Sequence, residues 1–355
     1  MSGSSRINTD VDFNQNGKQV TTLNLPHSPH DDAWGVIQIP IAVIKNGTGP
    51  TVLLEGGNHG DEYEGPIILG RMIRDLDPAE IQGRLIIIPA INTPAVLAGQ
   101  RTSPIDGLNF NRCFPGNPDG TMTYQIVHYV HDVLFNIADA FIDLHSGGSS
   151  LDILPSAIIE PSDNPELMQK NIEAVLAFGA PCTLVLNNLG ETRTSMSSAI
   201  RAGLISVGTE LGGGGRVSLE GLEVCSRGVR NVLAHLGVMK GTSATPQQKG
   251  HKTRVKCVPG AMGYVYAPAA GVFEPFHEKG ASVEKDSVAG LVHFLDEPAR
   301  TPVTAYYKCS GTLYARREPG RVKRGNCVAV IVVDFNDGIP KPCLLYTSPS
   351  PRDKR

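Results

Sequence analysis

No apolar run in the chain approaches the ~20 residues that cross a bilayer, so no membrane-spanning helix is expected. An excess of one charge is missing too: 32 Lys and Arg against 35 Asp and Glu leave a formal net charge of -3. That balance gives no electrostatic case for nucleic acid or for an anionic membrane surface. The N-terminal Met1-Ser2-Gly3-Ser4-Ser5-Arg6 has no hydrophobic core segment, so no secretory signal is expected. Cysteine is sparse and odd in number, seven in all, with no C-x-x-C pair. Reduced thiols in a cytoplasmic protein are the simplest reading. What is present is 355 residues of ordinary composition. That length buries a large core and suggests one large domain with a smaller one.

One stretch organises the rest: Gly56-Gly57-Asn58-His59-Gly60-Asp61-Glu62-Tyr63-Glu64-Gly65. The apolar Thr51-Val52-Leu53-Leu54 leads in, and a helical pattern from Ile67 to Leu76 leads out. The pattern predicts a buried strand, a glycine-rich turn that keeps the space above it open, and a helix. The turn carries an imidazole and a carboxylate three positions apart, both common zinc ligands. A second apolar strand, Phe141-Ile142-Asp143-Leu144, ends in His145-Ser146-Gly147-Gly148. His59, Glu62 and His145 then make a three-ligand set. Three protein ligands leave a position for water, which is the catalytic arrangement.

Before that stretch, residues 1–33 are polar and predict an extended or loop-like extension; strand is expected from Trp34 to Ile44. After it, Arg84 to Pro89 predicts a strand buried on both faces. A long loop follows, Arg101 to Gly116, dense in Arg, Asn and Asp, and long ordered loops are often functional. A helix is expected at about 124–137, with His128 and His131 as a surface pair rather than a metal site. Further helices are expected at 165–178, 197–202 and 219–236, and strands at 183–186 and 204–211. Glu210 stands near the end of that last strand, before Gly212-Gly213-Gly214-Gly215, which leaves the backbone there accessible. Alternating strands and helices argue for an α/β domain over 34–240 with a mainly parallel sheet. Ligands in such sheets sit at strand C-terminal ends, where His59, Glu62, His145 and Glu210 all fall. Residues 241–252 predict a linker. Residues 253–336 predict a small all-β domain similar to the barrel-sandwich hybrid of lipoyl and biotinyl carriers, without the exposed lysine hairpin that would carry the cofactor. The segment from Cys343 resembles a translated sequencing-library adapter, and 343–355 is expected to be non-native.

Taken together, His59-x-x-Glu62, Asn111-Arg112, His145 and Glu210 resemble the succinylglutamate desuccinylase/aspartoacylase family, relatives of the zinc carboxypeptidases. The stretches that carry the likeness include Ser103-Pro104-Ile105-Asp106, Phe114-Pro115-Gly116, Asp143-Leu144-His145-Ser146-Gly147-Gly148 and Thr209-Glu210-Leu211-Gly212. The likeness spans about 35 to 335. It implies a zinc carboxypeptidase-like α/β fold, one Zn2+ per chain on His59, Glu62 and His145, and amide hydrolysis. In that chemistry Glu210 moves the water proton to the leaving amine, and Arg101 faces the oxyanion. Arg112 grips a substrate carboxylate as a bidentate fork, with a hydrogen bond added by Asn111. Asp143 is left unassigned, as structural or as support for a ligand.

The expected substrate is a small N-acyl amino acid, first N-α-acetyl-L-2,4-diaminobutyrate of ectoine degradation, and second acetylaspartate or succinylglutamate. A peptide-cleaving carboxypeptidase is disfavoured if the β domain covers the site. A metal-stabilised binding protein without turnover is the reading from another class. No nucleic-acid or membrane partner is called for, and a homodimer stays open.

Overall fold

The computed structural model of the chain describes residues 4–240 and 253–335. The linker expected at 241–252 and the tail expected at 343–355 lie outside the described residues.

The polar N-terminal stretch is more regular than its composition suggests. β1 (Gly17–Pro26) pairs antiparallel with β2 (Val36–Asn46), in register from Gly17 opposite Lys45 to Pro26 opposite Val36. Only Leu23 and Leu25 of β1 reach the core, so its apolar signal is faint. The unbroken apolar runs then form the centre of a sheet. β3 (Thr51–Gly56) is followed by α1 (Glu64–Asp75), β4 (Gly83–Ile88), α2 (Thr93–Ala98) and α3 (Met122–Tyr129). A wider turn of helix continues α3 to Leu134 and a tighter one to Ile137. β5 (Ala140–Leu144), β6 (Leu151–Ile153), β7 (Ser156–Ile159), α4 (Pro165–Phe178), β8 (Cys182–Val185), α5 (Ser195–Arg201), β9 (Ile205–Glu210) and α6 (Leu219–His235) complete this part. Its strands lie in the order β1-β2-β4-β3-β5-β9-β7-β8. The centre, β4-β3-β5-β9, is parallel throughout.

Alternation explains why these strands read as continuous apolar runs. Leu54, Ile87 and Ile142 point to one face, where they pack with Ile68 and Leu69 of α1, Val175 of α4 and Val229 of α6. Leu53, Ile86 and Phe141 point to the other, against Phe110, Val127, Phe135 and Ala199. Both faces of the sheet are covered, as parallel sheets require. Full burial of each such Leu, Ile or Phe contributes ~1.5–3 kcal/mol. One expectation fails here: His128 is buried, not at the surface. It lies on the side of α3 that closes over Gly116, where an added Cβ would stand 2.2 Å from the His128 nitrogen.

Beyond residue 252 the chain forms short antiparallel strands. β10 (Arg254–Cys257) adds to the large sheet, parallel to β8. β11 (Tyr264–Tyr266), β12 (Gly271–Pro275), β13 (Ser282–Val283), β14 (Val288–His293), β15 (Val303–Tyr306), β16 (Gly311–Arg317), β17 (Arg321–Val322) and β18 (Cys327–Asp334) follow. The sheet β15-β14-β12-β17 faces the β11, β13, β16 and β18 strands. A core of Phe273, Val292, Tyr307, Leu313 and Ile331 fills the space between them. Two strand pairings tie this part to the first: β10 pairs with β8, and β16 pairs with β6. Among the described residues no helix is long and apolar enough to cross a membrane.

Candidate metal centre and active site

The turn after β3 is built by close approach rather than by open space. Gly57 has φ +69°, and a Cβ there would lie 2.8 Å from Val96 Cγ2. At Gly60 a Cβ would lie 1.9 Å from the Ala95 carbonyl oxygen. The Gly60 amide donates to the Gln100 carbonyl at 2.8 Å, and the Ile91 amide donates to Gly56 at 3.0 Å. Glycine therefore lets the turn lie against α2, and this contact aims His59 and Glu62. The four glycines after Glu210 work the same way, against the expectation of an open backbone. Gly212 accepts from the Gly147 and Ile153 amides, and Gly214 donates to the Leu151 carbonyl, so this loop interlocks with the segment after His145.

His59, Glu62 and His145 come together with ligand atoms within 4.8 Å of one another. Glu62 Oε1 lies 2.7 Å from His59 Nδ1, and Glu62 Oε2 lies 2.8 Å from His145 Nδ1. Both rings thus turn the same nitrogen toward the same carboxylate. Their far nitrogens are held from behind. Asn109 Oδ1 is 3.1 Å from His59 Nε2, and Asp143 Oδ2 is 2.9 Å from His145 Nε2. With Nε2 protonated and donating, Nδ1 is left as the ligand atom, the usual role of such outer partners. Thr209 fixes the His145 backbone by accepting from its amide at 3.0 Å and donating to its carbonyl at 3.1 Å.

The electrostatics suit a cation. Burial opposes charge on Glu62, yet the two flanking rings outweigh it and hold its carboxyl far below the ordinary range. Burial lowers His59, keeping it a neutral donor, and Arg101 adds to the effect. Burial also disfavours charge on His145, but Asp143 and Glu62 overcome it and raise that ring well above its ordinary value. Glu210 lines the same cavity; burial first, then the charge of Glu62, push its carboxyl up to about 8. Two imidazoles and a carboxylate facing one point form a group able to hold a metal ion.

The remaining residues singled out in the sequence also line this cavity of about 230 Å³. Arg101 reaches to 3.5 Å from Glu62 Oε1, with its side chain 45% exposed at the mouth. Arg112 is half-buried, 3.7 Å from Glu191, and its Nη1 donates to the Asn111 carbonyl at 2.6 Å. Asn111 is already engaged: its Oδ1 accepts from the Ser195 amide at 2.8 Å and lies 3.0 Å from Ser195 Oγ. Its Nδ2 lies 3.4 Å from His145 Nε2. The loop that delivers these residues is anchored by buried Phe110 and Phe114. Asp106 of the same loop accepts from Thr121 and Thr123 at the start of α3.

Sequence reasoning missed Asn109, Glu160, Thr194 and Ser195, which are ordinary polar residues outside any motif. It left Asp143 unassigned, although the strand alternation that buries it also turns it toward His145. It also missed Tyr314 of β16, buried with its hydroxyl 2.5 Å from Ser156 Oγ. Burial and then the Glu210 charge raise that hydroxyl's pKa. A larger hollow, about 810 Å³, lies at the other end of the sheet beside the starts of β3, β5 and β9. It holds no comparable ligand group among the described residues.

Comparison with known proteins gives one consistent picture. Residues 48–236 match the succinylglutamate desuccinylase/aspartoacylase catalytic domain. The chain is 41% identical over 327 residues to the N-alpha-acetyl-L-2,4-diaminobutyric acid deacetylase of Halomonas elongata, covering 92% of this chain and 95% of that protein. It superposes on a succinylglutamate desuccinylase/aspartoacylase from Rhodobacter sphaeroides with TM-score 0.88 at 43% identity, over 93% of this chain and all of that one. The product-bound ectoine utilization protein EutE (DoeB) of Ruegeria pomeroyi matches with TM-score 0.89 at 38% identity, again over 93% of this chain and 100% of that one.

Proposed function

The chain belongs to the succinylglutamate desuccinylase/aspartoacylase family, and on that premise we propose that it is a zinc-dependent amidohydrolase. Its substrate is N-α-acetyl-L-2,4-diaminobutyrate, cleaved to L-2,4-diaminobutyrate and acetate. The observation that carries the reaction is the buried His59, Glu62 and His145 group with Glu210 on the wall of the same cavity. The substrate rests on the names of the Halomonas and Ruegeria relatives. The cavity size agrees, being below the ~300 Å³ at which drug-sized pockets begin and too small for a peptide.

His59, Glu62 and His145 would hold the metal, whose chemistry there is to lower the pKa of a water and polarise the acyl carbonyl. Glu210 takes the water proton and passes it to the departing amine nitrogen. Arg101 reaches the cluster from the mouth and places fixed positive charge where the carbonyl oxygen becomes an oxyanion. Arg112 binds the substrate carboxylate. Asn111, anchored on Ser195, keeps Arg112 and His145 in register. Cys113, Cys182 and Cys225 are buried and in no disulfide. That agrees with a reducing compartment, and we place the protein in the cytoplasm.

The test is amine release from N-α-acetyl-L-2,4-diaminobutyrate, its Nγ-acetyl isomer, acetylaspartate and succinylglutamate, each with and without chelator. Chelator-sensitive turnover of the first alone is the expected result. Turnover of acetylaspartate or succinylglutamate instead would discard the substrate and keep the chemistry. No turnover of any with zinc bound would favour a binding protein.

A further inference from the structure

We propose that Glu160 is the carboxylate that receives the side-chain ammonium group of the substrate, and that it selects a basic N-acyl amino acid over an acidic one. The proposal rests on the diaminobutyrate reading above.

Glu160 follows β7 directly and is 7% exposed, yet it lines the same cavity as Glu62 and Glu210. Its surroundings are partly apolar: Ile158, Leu186 and Met196 border the cavity beside it. Two hydroxyls are among the groups that hold it in place. Ser197 Oγ donates to Oε2 at 2.5 Å, and Thr194 Oγ1 donates to Oε1 at 3.4 Å. Both belong to the start of α5, where Thr194 also accepts from the Ser197 amide. Ser195, which lies between them, donates from its amide to Asn111 and from its hydroxyl to Asp143. One turn of chain therefore sets Glu160 at a fixed place relative to His145. Glu160 also acts on Arg112, stabilising its charged form across the cavity.

The cavity so carries both signs of charge. Arg112 and Arg101 are its cations, and Glu160 is an anion that the metal group and Glu210 do not require. The substrate offers the matching pair: a carboxylate for Arg112 and an ammonium for Glu160. A succinyl or aspartyl carboxylate placed against Glu160 would instead meet like charge, a common device for rejecting a wrong ligand.

The test compares N-α-acetyl-L-2,4-diaminobutyrate with N-α-acetyl-L-2-aminobutyrate, which lacks the ammonium. Glu160→Gln keeps the side-chain shape and one accepting oxygen and removes the charge. The expected result is a selective loss of about 10- to 100-fold in kcat/KM for the first substrate, the usual worth of a charged hydrogen bond, with the second unchanged. Equal losses on both would reduce Glu160 to a support for α5 and overturn the proposal. Unchanged selectivity would overturn it as well. Should the variant fail to fold, calorimetry on the zinc-loaded wild type decides: L-2,4-diaminobutyrate must bind more tightly than L-2-aminobutyrate. Equal binding overturns the assignment. Faster turnover of acetylaspartate by the wild type would sink the substrate reading itself, a separate result from a Glu160 variant that keeps its selectivity.

Discussion

Asp143 stands 2.9 Å from Nε2 of His145, on the side of the ring turned away from Glu62. The two residues are two apart in β5 and its extension, so strand alternation puts both side chains on the same face. Ser195 Oγ donates to the same Asp143 oxygen. The imidazole is thereby held from behind before any metal arrives.

Asp143→Asn keeps the volume and removes the charge. Zinc affinity is expected to fall by about 10- to 100-fold, the usual effect of losing an outer-shell partner. Competition with a chromophoric chelator measures it. Wild-type affinity in the variant would mean that Asp143 serves the sheet and not the metal.

Glu210→Gln is expected to leave zinc content and melting temperature unchanged while kcat drops ~10²–10⁴-fold, the range for a lost general acid-base group. Turnover near wild type would assign the proton transfer elsewhere.

Removing the metal should lower stability as well as activity. Zinc held at 100 times its dissociation constant adds about 2.7 kcal/mol, so chelation is expected to lower the melting temperature by several degrees. His59→Ala should abolish that zinc-dependent shift. Melting curves that ignore both chelator and added zinc would remove the case for a metal at this group.

Gly213 and Gly107 separate backbone strain from crowding. Both have positive φ, +124° and +71°. An added Cβ at Gly107 meets nothing within 4 Å, while at Gly213 it would lie 2.2 Å from the Leu151 carbonyl oxygen. Gly107→Ala is expected to cost only the ~1–2 kcal/mol of a left-handed residue with a side chain. Gly213→Ala should cost a further ~1–3 kcal/mol from overpacking. Denaturant unfolding compares the two, and equal costs would mean that the Gly212–Gly215 loop yields freely.

The sheet centre was legible because residues buried on two faces leave an unbroken apolar run, as in Leu85 to Ile88. The ligand set was legible because strand ends in a parallel sheet converge on one edge, so His59 and His145 had to fall near each other. β1 was obscured, since only two of its residues pay their way in the core. His128 was misjudged because its burial comes from Gly116, a contact across a loop that periodicity does not encode. Glu160, Thr194 and Ser195 lay beyond the sequence for a related reason. They belong to elements that meet only after β7 turns antiparallel to β9. The glycine runs were recognised but misinterpreted: the same missing Cβ that could open space here permits contact.

The backbone ladder passes from β8 to β10, from β10 to β18, from β18 to β16, and from β16 back to β6. The ladder therefore meets the catalytic domain at two places, β8 and β6. Residues 253–335 could swing away from the catalytic sheet only by breaking strand pairs at two separate seams. On the cavity wall, the long loop presents Arg101 and Arg112, whose side chains are 45% and 38% exposed. If these guanidinium groups bind and polarise the substrate as proposed, a slow product-release step and a weakened grip would respond to the same substitutions.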